Sequence, residues 1–182
     1  MSFIIEYIKN PRTIGAVAPS GRSLSKKMMQ PINFDTANVI VEYGPGTGSF
    51  TKELVENRKA GTVLLLIEQN EHFCAQLEEK YRNLKDIFII HGNAEDVNAY
   101  LNQFGCGKAD YIVSGLPFTS LPKEVSDSIL TATKEALNEN GMFITFQYSL
   151  VKRRFFEQYF SITNRLKEMR NLPPAYVLVM KN

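Results

Sequence analysis

The stretch VIVEYGPGTG at residues 39–48 joins an apolar, strand-like run to a turn with three glycines. A helix-like segment follows it, over residues 48–58. Such a strand–turn–helix unit is typical of nucleotide-binding folds, because glycine lets the backbone approach a ligand and the helix presents unpaired N–H groups. The turn is therefore predicted to hold a ligand, although a glycine turn by itself also occurs as a tight loop that binds nothing.

Short apolar runs and helix-like segments alternate along the rest of the chain, which predicts repeated βα units and a mainly parallel sheet. The strands are predicted over residues 39–44, 62–68, 87–92, 109–114, 141–148 and 175–180, and the helices over 48–58, 71–84, 95–104 and 122–138. The near-continuous apolar character of the first five strands predicts that they are central and buried on both faces.

The segments around the fifth strand are less regular. Asn140-Gly141 is interpreted as a helix stop before that strand. The Pro173-Pro174 break predicts that the strand after it closes an edge of the sheet. Residues 161–170 fit either a strand or a helix.

Length and composition favour a single globular domain over residues 1–182, since 44% of the residues are hydrophobic and 22% are charged. The longest aliphatic run, Val63 to Ile67, is far shorter than the roughly 20 residues that span a bilayer, and Glu6 and Lys9 argue against a signal peptide. We expect a cytoplasmic chain that at most lies on a membrane. The isolated Cys74 and Cys106 indicate reduced thiols and no metal site.

Basic residues are concentrated at both ends of the chain. The charges sum to +4 over residues 1–30 and to +5 over 151–182, which leaves −7 for the middle of a chain with net charge +2. If both ends fold to one side, they form a positive rim suited to the phosphates of a lipid surface or of RNA. Otherwise they are solvated surface charges.

Two carboxylates identify the ligand. Glu42, two residues before the first glycine, would repel a pyrophosphate but would tolerate the ammonium of a methionyl group. Glu68 ends the second strand, 20 residues past Gly48, where an acidic side chain typically binds ribose hydroxyls. Adenosine joined to a cationic amino acid is S-adenosylmethionine. Residues 91–96, after the third strand, are predicted to bind the adenine edge.

The fourth strand ends in Ser114-Gly115-Leu116-Pro117-Phe118. Ligands of open parallel sheets bind outside the carboxyl ends of the strands, so this turn should face the same cleft as the glycine turn and place the methyl acceptor. With this motif the chain resembles class I methyltransferases, and among them ribosomal RNA adenine dimethyltransferases and bacterial phospholipid N-methyltransferases. The RNA enzymes typically carry Asn-Leu-Pro-Tyr here, and the phospholipid enzymes a Ser-Gly-Leu-Pro form like that of this chain.

The resemblance implies a Rossmann-like class I methyltransferase fold: a mainly parallel seven-stranded sheet, helices on both faces and an N-terminal helical segment. Residues 10–12, 15–22 and 170–175 also look like segments of the phospholipid enzymes, and residues 1–30 would form a helical extension and cofactor-cleft segment. The implied catalytic residues are Ser114, Gly115, Leu116, Pro117 and Phe118. The implied cofactor-binding residues are Ser20, Glu42, Tyr43, Gly44, Gly46, Thr47, Gly48, Glu68, Gln69, Asn93, Ala94 and Glu95.

The choice of methyl acceptor depends on Gly115. Enzymes that methylate adenine use the Asn side-chain oxygen to draw the conjugated ring amine toward tetrahedral geometry, and glycine has no such oxygen. An alkyl amine such as that of phosphatidylethanolamine needs only deprotonation and alignment. Phe118, and with it Tyr148, would then face the methylammonium by cation–π attraction. In an RNA enzyme Phe118 would stack on a flipped base, and otherwise it packs in the core.

The sequence therefore predicts an S-adenosylmethionine-dependent N-methyltransferase that acts on a phospholipid head-group amine. An RNA adenine N6-methyltransferase and a non-catalytic cofactor- or lipid-binding module are the alternatives. Phe3, Ile4, Tyr7 and Ile8 recur at helical spacing, as in an amphipathic helix at the inner face of a membrane or one packed on the domain itself. The sequence leaves the oligomeric state open.

Overall fold

The computed structural model describes residues 21–149, 153–171 and 173–182. The strands are β1 (Val39–Tyr43), β2 (Val63–Glu68), β3 (Ile87–His91), β4 (Ala109–Ser114), β5 (Leu137–Gln147), β6 (Ser161–Glu168) and β7 (Ala175–Lys181). The helices are α1 (Arg22–Met29), α2 (Ser49–Asn57), α3 (Glu71–Tyr81), α4 (Val97–Gln103), α5 (Lys123–Ala136) and α6 (Arg153–Phe156), with a 3-10 turn at Ala94–Asp96 before α4.

The strands form one seven-stranded sheet in the order β3-β2-β1-β4-β5-β7-β6. Strands β1 to β5 pair in parallel, and β7 is antiparallel to both β5 and β6. The order reverses at β1, which lies between β2 and β4. This is the point in a doubly wound sheet where ligands bind. The predicted Rossmann-like methyltransferase fold is confirmed.

Apolar side chains of the central strands pack on both faces of the sheet. In β1, Val39, Val41 and Tyr43 contribute to one core cluster, and Ile40 contributes to the other. All five residues of β1 are buried. Because successive side chains of a strand point to opposite faces, a strand is buried throughout only when both faces of the sheet are covered there.

The predicted helix stop at Asn140-Gly141 is wrong. Helix α5 ends at Ala136, and β5 has already begun at Leu137. The pairing shifts between Ala109↔Leu137 and Tyr111↔Met142, so the extra residues of β5 form a bulge. A Cβ at Gly141 would lie 3.0 Å from the carbonyl oxygen of Ala109, so this glycine serves close packing of two strands rather than a helix end.

Two strand positions also differ from the prediction. β3 is an edge strand, and its last residue, His91, is exposed. β7 is not at an edge, because residues 161–168, which sequence alone left undecided, form β6 outside it. Of the expected N-terminal helical extension, α1 lies within the described residues, and residues 1–20 lie outside them.

Candidate functional site

The glycine turn after β1 and the Ser114–Phe118 turn after β4 touch each other. Tyr43 pairs with Ser114, the last residue of β4, and the Gly115 N–H donates to the carbonyl oxygen of Tyr43 at 2.8 Å. The Leu116 side chain covers Gly44, where a Cβ would lie only 2.8 Å from its Cδ2. The two turns therefore open onto one edge of the sheet, as the sequence predicted.

A crevice runs from this contact toward the ends of β2 and β3. Main-chain hydrogen bonds join its walls, since the Gly44 N–H donates to Ile67 and the Gly92 N–H to Glu68, both at 2.9 Å. The residues that line it are Gly44, Ile67, Glu68, Gln69, Gly92, Ala94, Glu95, Leu116 and Ile129. The crevice is narrow, and its lining includes both polar groups and apolar side chains.

Three glycines shape the turn. Gly44, Gly46 and Gly48 have φ values of 63°, 54° and 81°, in the left-handed region where a side chain is strained. Gly48 is also the N-cap of α2. A Cβ at Gly46 would meet no atom within 4 Å, so this position borders open space. The turn thus offers a ligand bare backbone and the first turn of a helix.

Glu42 is fully buried directly before this turn. Its Oε2 accepts a hydrogen bond of 2.8 Å from the Thr51 hydroxyl, and its Oε1 has no partner. Burial raises the pKa of Glu42 to about 8, and the nearby Glu68 carboxylate adds to the rise, whereas the Thr51 hydrogen bond opposes it. A buried acceptor without a donor is costly, and an ammonium ion would satisfy it.

Glu68 is held by backbone donors. Its Oε2 accepts from the Gly46 N–H and its Oε1 from the Asn70 N–H, each at 2.9 Å. The side chain is 2% exposed but lines the crevice. Since a carboxylate oxygen has two lone pairs, each oxygen keeps capacity for a hydroxyl donor. Glu68 therefore couples the glycine turn to the end of β2.

The predicted adenine side of the crevice is built from amides. The Gln69 side-chain amide donates to the Asn93 side-chain oxygen, and the Gln69 Oε1 is buried without a partner. Ala94 is buried, whereas Asn93 and Glu95 are exposed. This arrangement leaves hydrogen-bonding groups at the rim of the crevice and a small apolar side chain in its wall.

Three predicted site residues have no side chain placed in the crevice by the structure. The Tyr43 hydroxyl lies 3.2 Å from the Thr133 hydroxyl, inside the core, so only the Tyr43 main chain takes part in the site. Thr47 is exposed at the tip of the turn. Ser20 lies outside the described residues.

The Ser114–Phe118 turn is held mainly by its own backbone. The Ser114 hydroxyl accepts from the Leu116 N–H at 3.2 Å, and the Leu116 carbonyl accepts from the Phe118 N–H at 3.0 Å. The Phe118 ring is fully buried and packs edge-to-face on Phe143 and Phe156. Tyr148 packs against the core cluster on the other face of the sheet. The two aromatic rings thus do not face one another across the cleft.

Replacing Phe118 with alanine is expected to destabilise the protein by about 3–5 kcal/mol, because it empties the space between Phe143 and Phe156. Urea unfolding of the variant measures this loss. Phe118→Leu, which keeps most of the volume, is the control and should recover most of the stability. An alanine variant as stable as the wild type would place the ring outside the core.

The structure adds two residues that the sequence reasoning missed. Thr51, on the first turn of α2, donates to Glu42, and its position nine residues past that carboxylate gave no motif to recognise. Tyr100 in α4 lies against Gly92, where a Cβ would collide with the tyrosine hydroxyl. Only the folded arrangement of the segment after β3 brings Tyr100 and Gly92 together.

These features fit S-adenosylmethionine. Two buried side-chain oxygens lack donors, Glu42 Oε1 directly before the glycine turn and Gln69 Oε1 in the lining of the crevice, and the cofactor carries an ammonium, an adenine amine and ribose hydroxyls. The space beside Gly46 would be filled by any side chain. In the described part of the chain, no group of three or more His, Cys, Asp or Glu residues is placed to hold a metal ion. Among the same residues, no helix is long and apolar enough to cross a bilayer.

Known proteins resemble this chain in both sequence and fold. An ornithine lipid N-methyltransferase of Singulisphaera acidiphila is 33% identical over 175 residues, which are 95% of this chain and 91% of that protein. The ribosomal RNA small subunit methyltransferase A of a Sulfurihydrogenibium species is 33% identical over 94 residues, covering 51% of this chain and 35% of that protein.

The solved structures show the same architecture at low identity. The N-methyltransferase NodS of Bradyrhizobium japonicum, in complex with S-adenosyl-L-homocysteine, has a TM-score of 0.69 at 13% identity and covers 88% of this chain and 86% of its own. A putative RNA methyltransferase of Pyrococcus horikoshii has a TM-score of 0.67 at 15% identity, covering 87% and 81%.

The family model described as ribosomal RNA adenine dimethylase matches residues 21–181, which include both turns and all seven strands. The predicted enzyme class and cofactor are confirmed. This chain is an S-adenosylmethionine-dependent methyltransferase and belongs to the ribosomal RNA adenine dimethylase family.

Proposed function

We propose that the enzyme methylates the amine of a lipid head group. The observation that carries this proposal is the packing of Gly115 against the glycine turn. A Cβ at position 115 would lie 2.9 Å from the Gly44 carbonyl oxygen and 3.5 Å from that of Tyr43. With this backbone, position 115 has no room for a side-chain amide that could polarise a ring amine.

An aliphatic amine does not need such a group. Its lone pair is localised on nitrogen, so after losing a proton it is a competent nucleophile, and alignment supplies most of the rate. Main-chain carbonyls of the Ser114–Phe118 turn are suited to orient an N–H donor. The neutral amine forms a bond to the methyl carbon as the carbon–sulfur bond breaks, and the proton lost beforehand passes to water.

Each part of the cofactor can be assigned to residues of the glycine turn and the crevice. When bound, S-adenosylmethionine supplies an electrophilic methyl group on sulfur. Glu42 would pair with its ammonium, Glu68 with the ribose hydroxyls, and the groups around Gln69 and Asn93 with adenine. Gly44 and Gly46 would let the backbone approach the methionyl part.

The lipid substrate is also supported by the relative from Singulisphaera acidiphila, an ornithine lipid N-methyltransferase that aligns with 95% of this chain. Phosphatidylethanolamine, the head group suggested by sequence, carries the same kind of primary alkyl amine. We therefore propose a lipid amine as the substrate class, with ornithine lipid and phosphatidylethanolamine as its two test members. A peripheral location at the cytoplasmic face of a membrane is part of the same proposal.

The test is methyl transfer from labelled S-adenosylmethionine to three acceptors: detergent-dispersed ornithine lipid, detergent-dispersed phosphatidylethanolamine, and ribosomal RNA. We expect label in one or both lipids. Phosphatidylcholine, whose nitrogen is already quaternary, is the matched lipid control and should stay unlabelled. Label in RNA alone would overturn the proposal and favour the adenine N6 activity that the family description names.

A further inference from the structure

An apolar side chain projects from the turn between β6 and β7. Among the residues that the structure describes, the exposed large hydrophobic side chains are Met169, at 61%, and Leu84, at 45%. Leu84 precedes β3 and lies at the amino ends of the parallel strands. Met169 directly follows β6, and whether it could contact a partner of the enzyme depends on where it lies relative to the site.

The turn that carries Met169 lies on the same edge of the sheet as the site. The last pair of the β6–β7 ladder is Glu168↔Ala175, and the neighbouring Tyr176 pairs with Gln147 at the carboxyl end of β5. β4, which ends in Ser114, is three strands away from β6. At ordinary strand spacing this separates the two turns by roughly 14 Å.

The turn is braced, so Met169 is held outward. The buried Glu168 accepts from the Arg170 N–H at 2.7 Å and lies 3.9 Å from the Lys27 ammonium. The buried Asn171 accepts from the Gly21 N–H at 3.2 Å, directly before α1. These contacts fix the turn against α1, and little conformational entropy remains to be lost when a partner covers it.

The surroundings of Met169 are basic. Arg170 is exposed beside it, and α1, to which the turn is braced, carries exposed Arg22 and Lys26. These two α1 cations line a groove that they share with Lys52, Glu53 and Glu56 of α2. The acid in the turn, Glu168, is buried and faces Lys27. An exposed apolar side chain with an exposed arginine directly next to it complements an anionic bilayer, where the apolar tip enters the hydrocarbon boundary and the cation meets a phosphate.

Building on the proposed lipid substrate, we propose that Met169 and Arg170, supported by α1, form a docking surface for an anionic phospholipid membrane. Docked there, the enzyme presents the Ser114–Phe118 turn to the head-group layer, so an amine reaches the site without its lipid leaving the bilayer. This surface is formed by described residues only and does not include residues 1–12, where the amphipathic segment is expected.

The test compares two double variants of the full chain by flotation with vesicles of phosphatidylcholine and phosphatidylglycerol, which offer negative charge but no methylatable amine. Met169→Ser with Arg170→Gln should lower the vesicle partition coefficient about tenfold or more. The matched control, Leu84→Ser with Arg82→Gln, removes one exposed apolar side chain and one exposed arginine at the opposite edge and should bind like the wild type. Added salt should weaken wild-type binding.

Each outcome separates docking from catalysis. Both variants should retain wild-type turnover on detergent-dispersed lipid amine, because neither touches the crevice. Equal partition of the two variants would overturn the docking surface while leaving the lipid substrate intact. Normal docking without methylation of any lipid amine would instead refute the proposed function. Loss of RNA binding, but not vesicle binding, in the Met169/Arg170 variant would reassign the surface to nucleic acid and overturn the inference.

Discussion

Replacing Gly46 with valine is expected to abolish cofactor binding, with affinity for S-adenosylmethionine falling at least about 100-fold, or ~2.7 kcal/mol. The φ of Gly46 is +54°, which a β-branched residue adopts only under strain, and its Cβ would enter the open space beside the crevice. The variant keeps the main-chain N–H that donates to Glu68, so the loss of cofactor affinity is attributed to the added side chain. Isothermal calorimetry measures it.

Gly61 offers a matched control for this experiment. Its φ is +83° and a Cβ there also meets nothing within 4 Å, but it lies between α2 and β2, away from the crevice. Gly61→Val should therefore carry the same kind of backbone strain and still bind the cofactor. If both variants bind like the wild type, the glycine turn is not the cofactor cradle.

Replacing Glu42 with glutamine is expected to abolish a loss of folding stability that the wild type shows as the pH rises from 4.5 to about 8. The pKa of Glu42 is about 8 in the folded protein, against 4.5 for the free group. Between these values the unfolded chain loses a proton that the folded chain keeps, so the stability present below pH 4.5 is lost progressively up to pH 8. The loss amounts to a few kcal/mol, at about 1.4 kcal/mol per pKa unit.

Urea unfolding across this pH range measures the effect. The quantity to compare is the change of the unfolding free energy with pH, not its absolute value. Glu42→Gln should remove the decline, whereas Glu56→Gln, at an exposed carboxylate of α2, should keep it. Cofactor binding to the wild type should release a proton near pH 7, because the ammonium favours the ionised carboxylate. Calorimetry in two buffers detects this release. If the wild type and Glu42→Gln bind the cofactor equally tightly and neither releases a proton, Glu42 does not contact the cofactor.

The parallel half of the fold could be predicted from sequence because its strands are buried on both faces. Runs such as VLLLI in β2 have no polar alternation and no competing helical period. The edge was harder to predict. β6 reads Ser-Ile-Thr-Asn-Arg-Leu-Lys-Glu, with five exposed residues, and such a pattern carries little information about its partner. The bulge at Gly141 depends on contact with Ala109 in another strand, which no local signal reveals.

Part of the candidate site could likewise be predicted from sequence, and part of it could not. The glycine turn, Glu68 and the Ser114–Phe118 turn follow from motif spacing, because the βα unit fixes where each strand ends. The environment of Glu42 could not be predicted, since its pKa depends on burial and on Thr51. The burial of the Phe118 ring could not be predicted either. An aromatic residue in a turn beside an apolar core can face a ligand or pack inside the core, and only the packing distinguishes the two.

The hydrogen bond from the Gly115 N–H to the Tyr43 carbonyl has an evolutionary consequence. Because this bond is made by main-chain atoms, replacing the Tyr43 side chain removes neither its donor nor its acceptor. Substitutions at distant loops such as the β6–β7 turn can therefore alter which substrate is reached without moving the two turns relative to each other.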